Sequence, residues 1–321
     1  MHAGTATYLT AWAAHHPAGR AINDEPLLTS LGTTSAWVEA KLGIRERRLA
    51  GPADTPATLG ATALLEACAR AGVAPSDLDL LIGATSFDDF DMPAAASRIG
   101  GIAETAAFTF DVRAACSGWL VGVQLAATML ATGQARTAAV VATEVTTRRV
   151  DPSDRLSVPI FGDAAAATLV SATRPARGLE VVDTAWRSDN SEHDAVVLPN
   201  PGTFAQDGPR ARVWVEAAIP EVAGDLLERN GLTGSGVRAL VCHQANLRVL
   251  ERLADRLEVP PERHWHNVEW AGNTSAAGAP SSLAAGLDEH GDELADGDPI
   301  LVVTVGAGVN VVATLLRWVR D

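Results

Sequence analysis

The chain has 321 residues, 47% of them hydrophobic and 20% charged, so it can bury a large core and lacks the composition of a disordered chain. A net charge of -14 argues against general nucleic-acid binding, although a local basic patch could still hold an anionic ligand. Three cysteines without a CxxC pair argue against a disulfide framework and structural zinc and for a reducing, cytoplasmic compartment; no apolar run has the length and flanks of a membrane span, and no basic leader precedes an apolar run at the N-terminus.

Residues 4–14 read as a first strand. Ser35 is a candidate cap for a short helix containing Trp37. The GIRERRL stretch, 43–49, packs three arginines into four residues and reads as a solvated turn. Residues 56–71 have helical periodicity, 72–79 form the exit loop and 80–85 a buried strand. Another helix is expected over 93–101. An apolar run at 106–110 reads as a buried strand. Small residues follow at 114–118, then a run to Gly133 broken clearly only by Gln124 and Thr128. A helix apolar on nearly every face belongs inside a core. Residues 137–143 form a strand, 146–159 a polar loop and 164–170 a further strand.

The second half repeats this plan. Residues 63–85 resemble 225–244: each is a helix, a glycine-containing exit and an apolar strand ending in small or polar residues. TAAVVAT at 137–143 has a counterpart in PILVVTV at 299–305. Strands alternating with helices predict a mostly parallel, covered sheet. Two such halves suggest a layered α/β duplication joined near 173–178, with halves 1–173 and 174–321.

Cys116 falls where a strand ends and an apolar helix begins. Unpaired backbone N–H groups and the positive end of the helix dipole favour a thiolate there. A small buried hydrophobe would fit the same stretch. His243 ends the apolar strand that contains Cys242, in the other half, where strand-to-helix junctions of a two-fold arrangement can converge. Asn273 precedes another small-residue run. Gly306-Ala307-Gly308 lacks the third glycine of a dinucleotide fingerprint and is followed by β-branched residues. It suits close backbone approach to a ligand or a developing oxyanion better.

Taken together and in order, GIRERR (43–48), DVRAACSG (111–118), DPSDR with PIFGDAAAATLV (151–170), HQANLR (243–248) and GNTSAA (272–277) resemble β-ketoacyl-acyl carrier protein synthase III of the thiolase superfamily. The likeness covers nearly the whole chain. It implies the duplicated, thiolase-like five-layer αβαβα fold and a homodimer. It implies that Cys116 is the acyl-accepting nucleophile and that His243 and Asn273 complete a Cys–His–Asn site. The backbone N–H groups of Cys116 and Ala307 would form the oxyanion hole. Trp37 and Arg155 match residues that sandwich the adenine of coenzyme A, and Asn246 falls on the coenzyme A and pantetheine path. Arg248 and Arg256 match basic positions facing acyl carrier protein. Met92 matches the position that reaches into the partner subunit's acyl pocket, and Val305 stands where an aromatic often lines it. The family's GGGF loop is Gly306-Ala307-Gly308-Val309 here. Arg210-Ala211-Arg212 replaces a usual glycine–asparagine pair.

The implied reaction is a decarboxylative Claisen condensation priming fatty-acid or polyketide synthesis. An acyl group from acyl-CoA or acyl carrier protein would rest on Cys116 and then meet a malonyl-type thioester, with no metal or redox cofactor. The helix dipole is expected to lower the thiol pKa, so no tightly hydrogen-bonded base is needed. One rival is an acyltransferase on the same fold, with His243 as general base towards an alcohol or amine. Another is a non-catalytic paralogue, which an intact Cys116, His243 and Asn273 argue against.

Overall fold

The computed structural model describes residues 6–321, so the first two positions of the strand expected over 4–14 lie outside the described residues. The first half runs β1 (Tyr8–His15), β2 (Gly19–Ile22), α1 (Glu25–Ser30), α2 (Ser35–Leu42), β3 (Glu46–Leu49), α3 (Pro56–Ala71), β4 (Leu80–Ala84), α4 (Ala95–Ile102), β5 (Phe108–Val112), α5 (Gly118–Ala131), β6 (Thr137–Glu144) and β7 (Ala164–Ser171). The second runs β8 (Arg177–Ser188), β9 (Val196–Val197), β10 (Ala205–Gln206), α6 (Gly208–Arg229), β11 (Ala239–Cys242), α7 (Leu247–Arg256), β12 (His264–Trp265), α8 (Val268–Ala271), α9 (Gly278–His290), β13 (Pro299–Gly306) and β14 (Asn310–Arg320).

Ten strands form one sheet in the order β12-β11-β13-β14-β8-β1-β7-β6-β4-β5. Read outward from the centre, β1-β7-β6-β4-β5 and β8-β14-β13-β11-β12 have the same senses of pairing, which is the duplication seen in the sequence. The sheet is mixed rather than mostly parallel: five pairings are antiparallel and four parallel. The cause is that β6 reaches β7, and β13 reaches β14, without a crossover helix. Helices α5 and α9 share a core with the inner faces of both half-sheets. Helices α3 and α4 cover the outer face of the first half-sheet, and α6 and α7 that of the second. The result is the five-layer αβαβα stack of a thiolase-like fold.

Local chemistry sets the element ends. Helix α3 starts in a capping box in which Thr55 Oγ accepts from Thr58 N–H, and it ends at Gly72 in the left-handed region. Thr34, not Ser35, caps α2, with Oγ1 accepting from Trp37 N–H at 3.1 Å. Helix α4 begins two residues later than expected, where the Asp111 carboxylate accepts from Ala95 and Ala96 N–H.

Three expectations about exposure change. The GIRERRL segment is not a solvated turn. Its Glu46–Leu49 part is β3, paired with β2, and Arg47 is 4% exposed. Arg47 donates to Pro159 carbonyl oxygen from Nε at 2.8 Å and to Asn23 Oδ1 at 2.8 Å, which stands in for the lost water. Strand β5 is not buried: it is the sheet's edge, and Phe108 is 67% exposed. Helix α5 buries Trp119, Leu120, Val123, Ala126 and Leu130 but leaves Leu125 and Thr128 open, so it is apolar on more faces than one chain covers.

Candidate active site

Cys116 stands in a tight turn, Ala115–Ser117, between β5 and α5. Ala115 takes a φ of +48°, a left-handed conformation that a residue with a Cβ adopts only when its surroundings hold it there. The end of β13 supplies part of that hold. A Cβ on Gly306 would lie 2.5 Å from the Ala114 carbonyl oxygen and 3.2 Å from Ser117 nitrogen, so only glycine permits the approach. Cys116 Sγ lies 3.4 Å from Ser275 Oγ. Burial pushes the thiol up to about 12, with the Glu144 charge adding to the rise and the Ser275 contact opposing it. Moving a thiol from 9.0 to about 12 disfavours its anion by roughly 4 kcal/mol. A helix terminus returns only ~1 kcal/mol. The expected dipole-driven thiolate is therefore not the resting state; the thiol keeps its proton.

His243 follows β11, and its N–H donates to Val303 carbonyl oxygen at 2.8 Å. The ring is buried, which pushes its pKa down to about 4, so it is neutral. Nδ1 is buried without a hydrogen-bond partner. A neutral imidazole carries one N–H donor, and no hydrogen bond within the protein ties up either ring nitrogen among the described residues. Asn273 is fixed by its backbone: its N–H donates to Ile160 carbonyl oxygen and its own carbonyl accepts from Gly162 N–H. Its side-chain Oδ1 accepts from Ser275 N–H at 2.9 Å. That bond assigns the amide: the oxygen is taken, leaving the NH2 as a donor.

Glu144, at the end of β6, was not among the sequence candidates. It is fully buried, and five groups donate to its carboxylate. They are Thr85 Oγ1, the N–H groups of Ser86 and Phe87, Ser275 Oγ at 3.0 Å and Ala276 N–H. Burial nevertheless pushes its pKa up to about 7. The available signal was an acidic residue closing a strand of buried small and apolar residues. Ser275 was visible only as part of GNTSAA.

Cys116, His243, Asn273, Ser275, Val305 and Ala307 line one cavity of about 320 Å3, and Glu144 lies behind it. Its far walls are apolar faces of α6 and α7, including Val215, Ile219, Val249 and Leu253. Family descriptions of 3-oxoacyl-(acyl-carrier-protein) synthase III match residues 110–190, and of its C-terminal part residues 227–318. A β-ketoacyl-(acyl-carrier-protein) synthase III from Symbiobacterium thermophilum is 33% identical over 317 residues, covering 94% of this chain and 95% of the relative. The chain belongs to the 3-oxoacyl-(acyl-carrier-protein) synthase III family. A solved synthase III from Pseudomonas aeruginosa superposes with a TM-score of 0.90 at 30% identity, covering 98% of this chain and 99% of the other. The priming β-ketosynthase of a polyketide biosynthetic pathway gives 0.89 at 29% identity, covering 99% and 97%.

The remaining positions suggested by the synthase III resemblance lie outside this group or are engaged elsewhere. Trp37 and Arg155 do come together, in a separate cleft of about 270 Å3. Trp37 is 41% exposed, and among the described residues Arg155 makes no ion pair; Asp151 and Asp154 instead accept from Ser153 and Leu156. Asn246 lines the main cavity, but its Oδ1 caps α7 by accepting from Arg248 and Val249 N–H. Arg248 pairs with Glu251 at 2.9 Å, and Arg256 donates to the Glu216 carbonyl oxygen. Arg256 also lies 4.0 Å from the Glu216 carboxylate, so both guanidinium groups have an acidic neighbour. Met92 is 81% exposed and does not line its own chain's cavity.

Proposed function

We propose that this synthase III family member is a condensing enzyme that joins an acyl group held on Cys116 to the carbon of a malonyl-type thioester. The acyl thioester carbonyl is attacked by Cys116 sulfur, and the donor's thiol leaves. The malonyl thioester then loses carbon dioxide, and its electron pair moves into an enolate. The enolate carbon attacks the acyl-Cys116 carbonyl, the carbon–sulfur bond breaks and a β-ketoacyl thioester departs. The reaction as drawn uses thioester substrates and no further cofactor.

The observation that carries this reading is the pair of neutral donors facing one cavity with the thiol. Asn273 offers an NH2 because its oxygen is tied, and His243 offers the N–H of a neutral imidazole that no hydrogen bond within the protein engages among the described residues. Two donors suit an enolate oxygen, where one such bond is typically worth ~3 kcal/mol. A neutral imidazole pushed down to about 4 is a poor general base, which weighs against transfer to an alcohol or amine. The test exposes the protein to acyl-CoA, weighs the Cys116 adduct by intact mass, and then adds malonyl carrier protein. A β-ketoacyl product with release of carbon dioxide is expected. An acylated Cys116 that yields only O- or N-acyl products would establish the acyltransferase instead.

Coenzyme A as donor is supported by the Trp37–Arg155 cleft, and acyl carrier protein as partner by the family. A homodimer is supported by β5, an edge strand with an exposed phenylalanine and an unpaired side, beside the open face of α5. In that dimer Met92 would close the acyl pocket of the other subunit. The break between the halves is placed at 173/174, after β7. The unpaired cysteines suit a cytoplasmic setting.

A further inference from the structure

A buried carboxylate that the condensation does not otherwise use stands one hydroxyl away from the nucleophile. Ser275 Oγ donates to Glu144 Oε1 at 3.0 Å and lies 3.4 Å from Cys116 Sγ. Because the Ser275 proton is committed to the carboxylate, its oxygen is left to accept from the Cys116 S–H. The three groups thus form a directed chain, S–H to O–H to carboxylate.

We propose that Ser275 and Glu144 form a proton relay for Cys116, in which Glu144 stores the thiol proton while the sulfur is acylated. The proposal rests on Cys116 being the acyl acceptor. In the first half-reaction the S–H bond breaks as sulfur attacks the acyl carbonyl. Ser275 takes that proton and passes its own to Glu144 Oε1. The donor leaves as a thiolate and is protonated by solvent. In the second half-reaction the C–S bond to Cys116 breaks, and the returning thiolate recovers its proton from Glu144 by the reverse path. Decarboxylation supplies the carbanion, so Glu144 neither gains nor loses a proton over the full cycle.

The electrostatics favour this arrangement over independent ionisation. Two anions at this separation in a buried site are costly, so one proton is shared and the pair carries a single negative charge. Transfer moves that charge from carboxylate to sulfur without adding another. Among the described residues no other charged side chain is hydrogen-bonded or ion-paired to Glu144 or Ser275. Strand β4 and its following turn present Thr85 Oγ1 and two backbone N–H groups, and the turn Ser275–Ala277 presents a hydroxyl and one N–H. Strand β7 presents Ala164, and α5 an apolar face. Asp163 precedes Ala164, the strand partner of Glu144, and its carboxylate is turned to Ala50, Thr146 and Thr147. Ser275 contacts the reacting sulfur; Glu144 acts through it and is a positioning residue.

The test is alkylation of Cys116 by iodoacetamide in the intact protein across about pH 5.5 to 10, located by peptide mass. It needs no acyl substrate, so it stands apart from the condensation assay. In the wild type the rate should rise with the single shared ionisation, near pH 7, and then level off. Ser275→Ala should lower that plateau by about 100-fold, the scale of a positioned proton acceptor. Glu144→Gln should abolish the inflection and leave a rise that follows the thiol alone. Circular dichroism and the thermal midpoint establish that each variant is folded. A folded Ser275→Ala protein with the wild-type profile would overturn the relay, as would a Glu144→Gln protein that keeps the inflection. If Glu144→Gln fails to fold, the Ser275→Ala profile decides alone. Absence of acylation in a wild type that shows the plateau would instead sink the condensation reading.

Discussion

Residues 114–118 and 274–278 follow nearly the same backbone path. Ala114 and Thr274 enter at φ/ψ of -121/31 and -100/30, and Ala115 and Ser275 turn left-handed at +48° and +51°. Gly118 and Gly278 then start the helices at -53/-40 and -64/-54. Cys116 corresponds to Ala276, and Ala115 to Ser275. The duplication thus made two equivalent turns, and only the side chains divide the labour. The first turn presents sulfur to the cavity. The second is closed: Ala276 is buried, its N–H goes to Glu144, and the residue before it holds the sulfur. Equivalent backbone is not equivalent chemistry; what each position faces decides its role.

The severest way to break this comparison is to move the thiol. Cys116→Ser should abolish acylation while the protein stays folded, since a hydroxyl gives up its proton far less readily than a thiol and is the weaker nucleophile. The combined variant Cys116→Ala, Ala276→Cys should be equally dead, because the second turn opens on Glu144 and not on the cavity. Intact-mass labelling by acyl-CoA reads both, and labelling of the transplanted thiol would show the turns to be interchangeable. Asn273→Ala should leave Cys116 acylation near wild type. It should slow carbon dioxide release from malonyl thioester roughly 100-fold, the cost of one oxyanion donor.

Glycines sharpen the contrast next. Gly306→Ala forces a Cβ to 2.5 Å from the Ala114 carbonyl oxygen, whereas at Gly278 the nearest atom is Gln244 Cβ at 3.1 Å. The first substitution should cost about 1–3 kcal/mol in denaturant unfolding and impair acylation; the second should cost clearly less. Equal losses would mean that the two turns are equally constrained. Arg155→Ala tests the remote cleft. It should raise the Michaelis constant for acyl-CoA several-fold and leave that for a short N-acetylcysteamine thioester unchanged, because a stacked guanidinium contributes ~1 kcal/mol.

The smallest effect is on stability against pH, where the buried histidines and Glu144 pull in opposite directions. His243 is pushed from 6.5 to about 4 on folding, as are His16 and His264. The unfolded chain takes up protons first, so their contribution is lost as pH falls from 6.5 towards 4. Glu144 is pushed up from 4.5 to about 7. The folded form keeps its proton longer, so that contribution is lost as pH rises from 4.5 to 7. Thermal midpoints should show His243→Ala flattening the acid side of the profile and Glu144→Gln the side towards neutrality.

Local signals in the sequence carried much of this. Helix α3 was readable to its ends because Thr55 and Gly72 terminate it chemically. The duplication was readable because repeated helix–strand units have repeated composition. Cys116, His243 and Asn273 were readable as a motif set, and the structure places them around one cavity. What stayed hidden depends on contacts distant in sequence. Glu144 and Ser275 are 131 residues apart and meet only when the halves pack. Arg47 reads as surface charge because its acceptor, Pro159, lies 112 residues away. The mixed sheet was missed because helix–strand alternation does not reveal which connections lack a crossover. The exposure of β5 was missed because an apolar strand reads the same at the edge of a sheet as inside it.

The joint between the half-sheets has a mechanical consequence. Among the described residues, strands β1 and β8 are in register at Tyr8 with Glu180 and Leu9 with Leu179, and Val181 N–H donates to the Thr7 carbonyl oxygen. Cys116 hangs from one half and Ser275 from the other, and the packing of α5 against α9 sets their spacing. The sulfur–hydroxyl gap behaves like a vernier on the alignment of the halves. Core substitutions beneath α5, such as at Gly122, where an added Cβ would sit 2.7 Å from Val140, would move the reading of that scale while the fold holds. Reactivity of a single cysteine thereby reports slippage between two layers that melting curves average away.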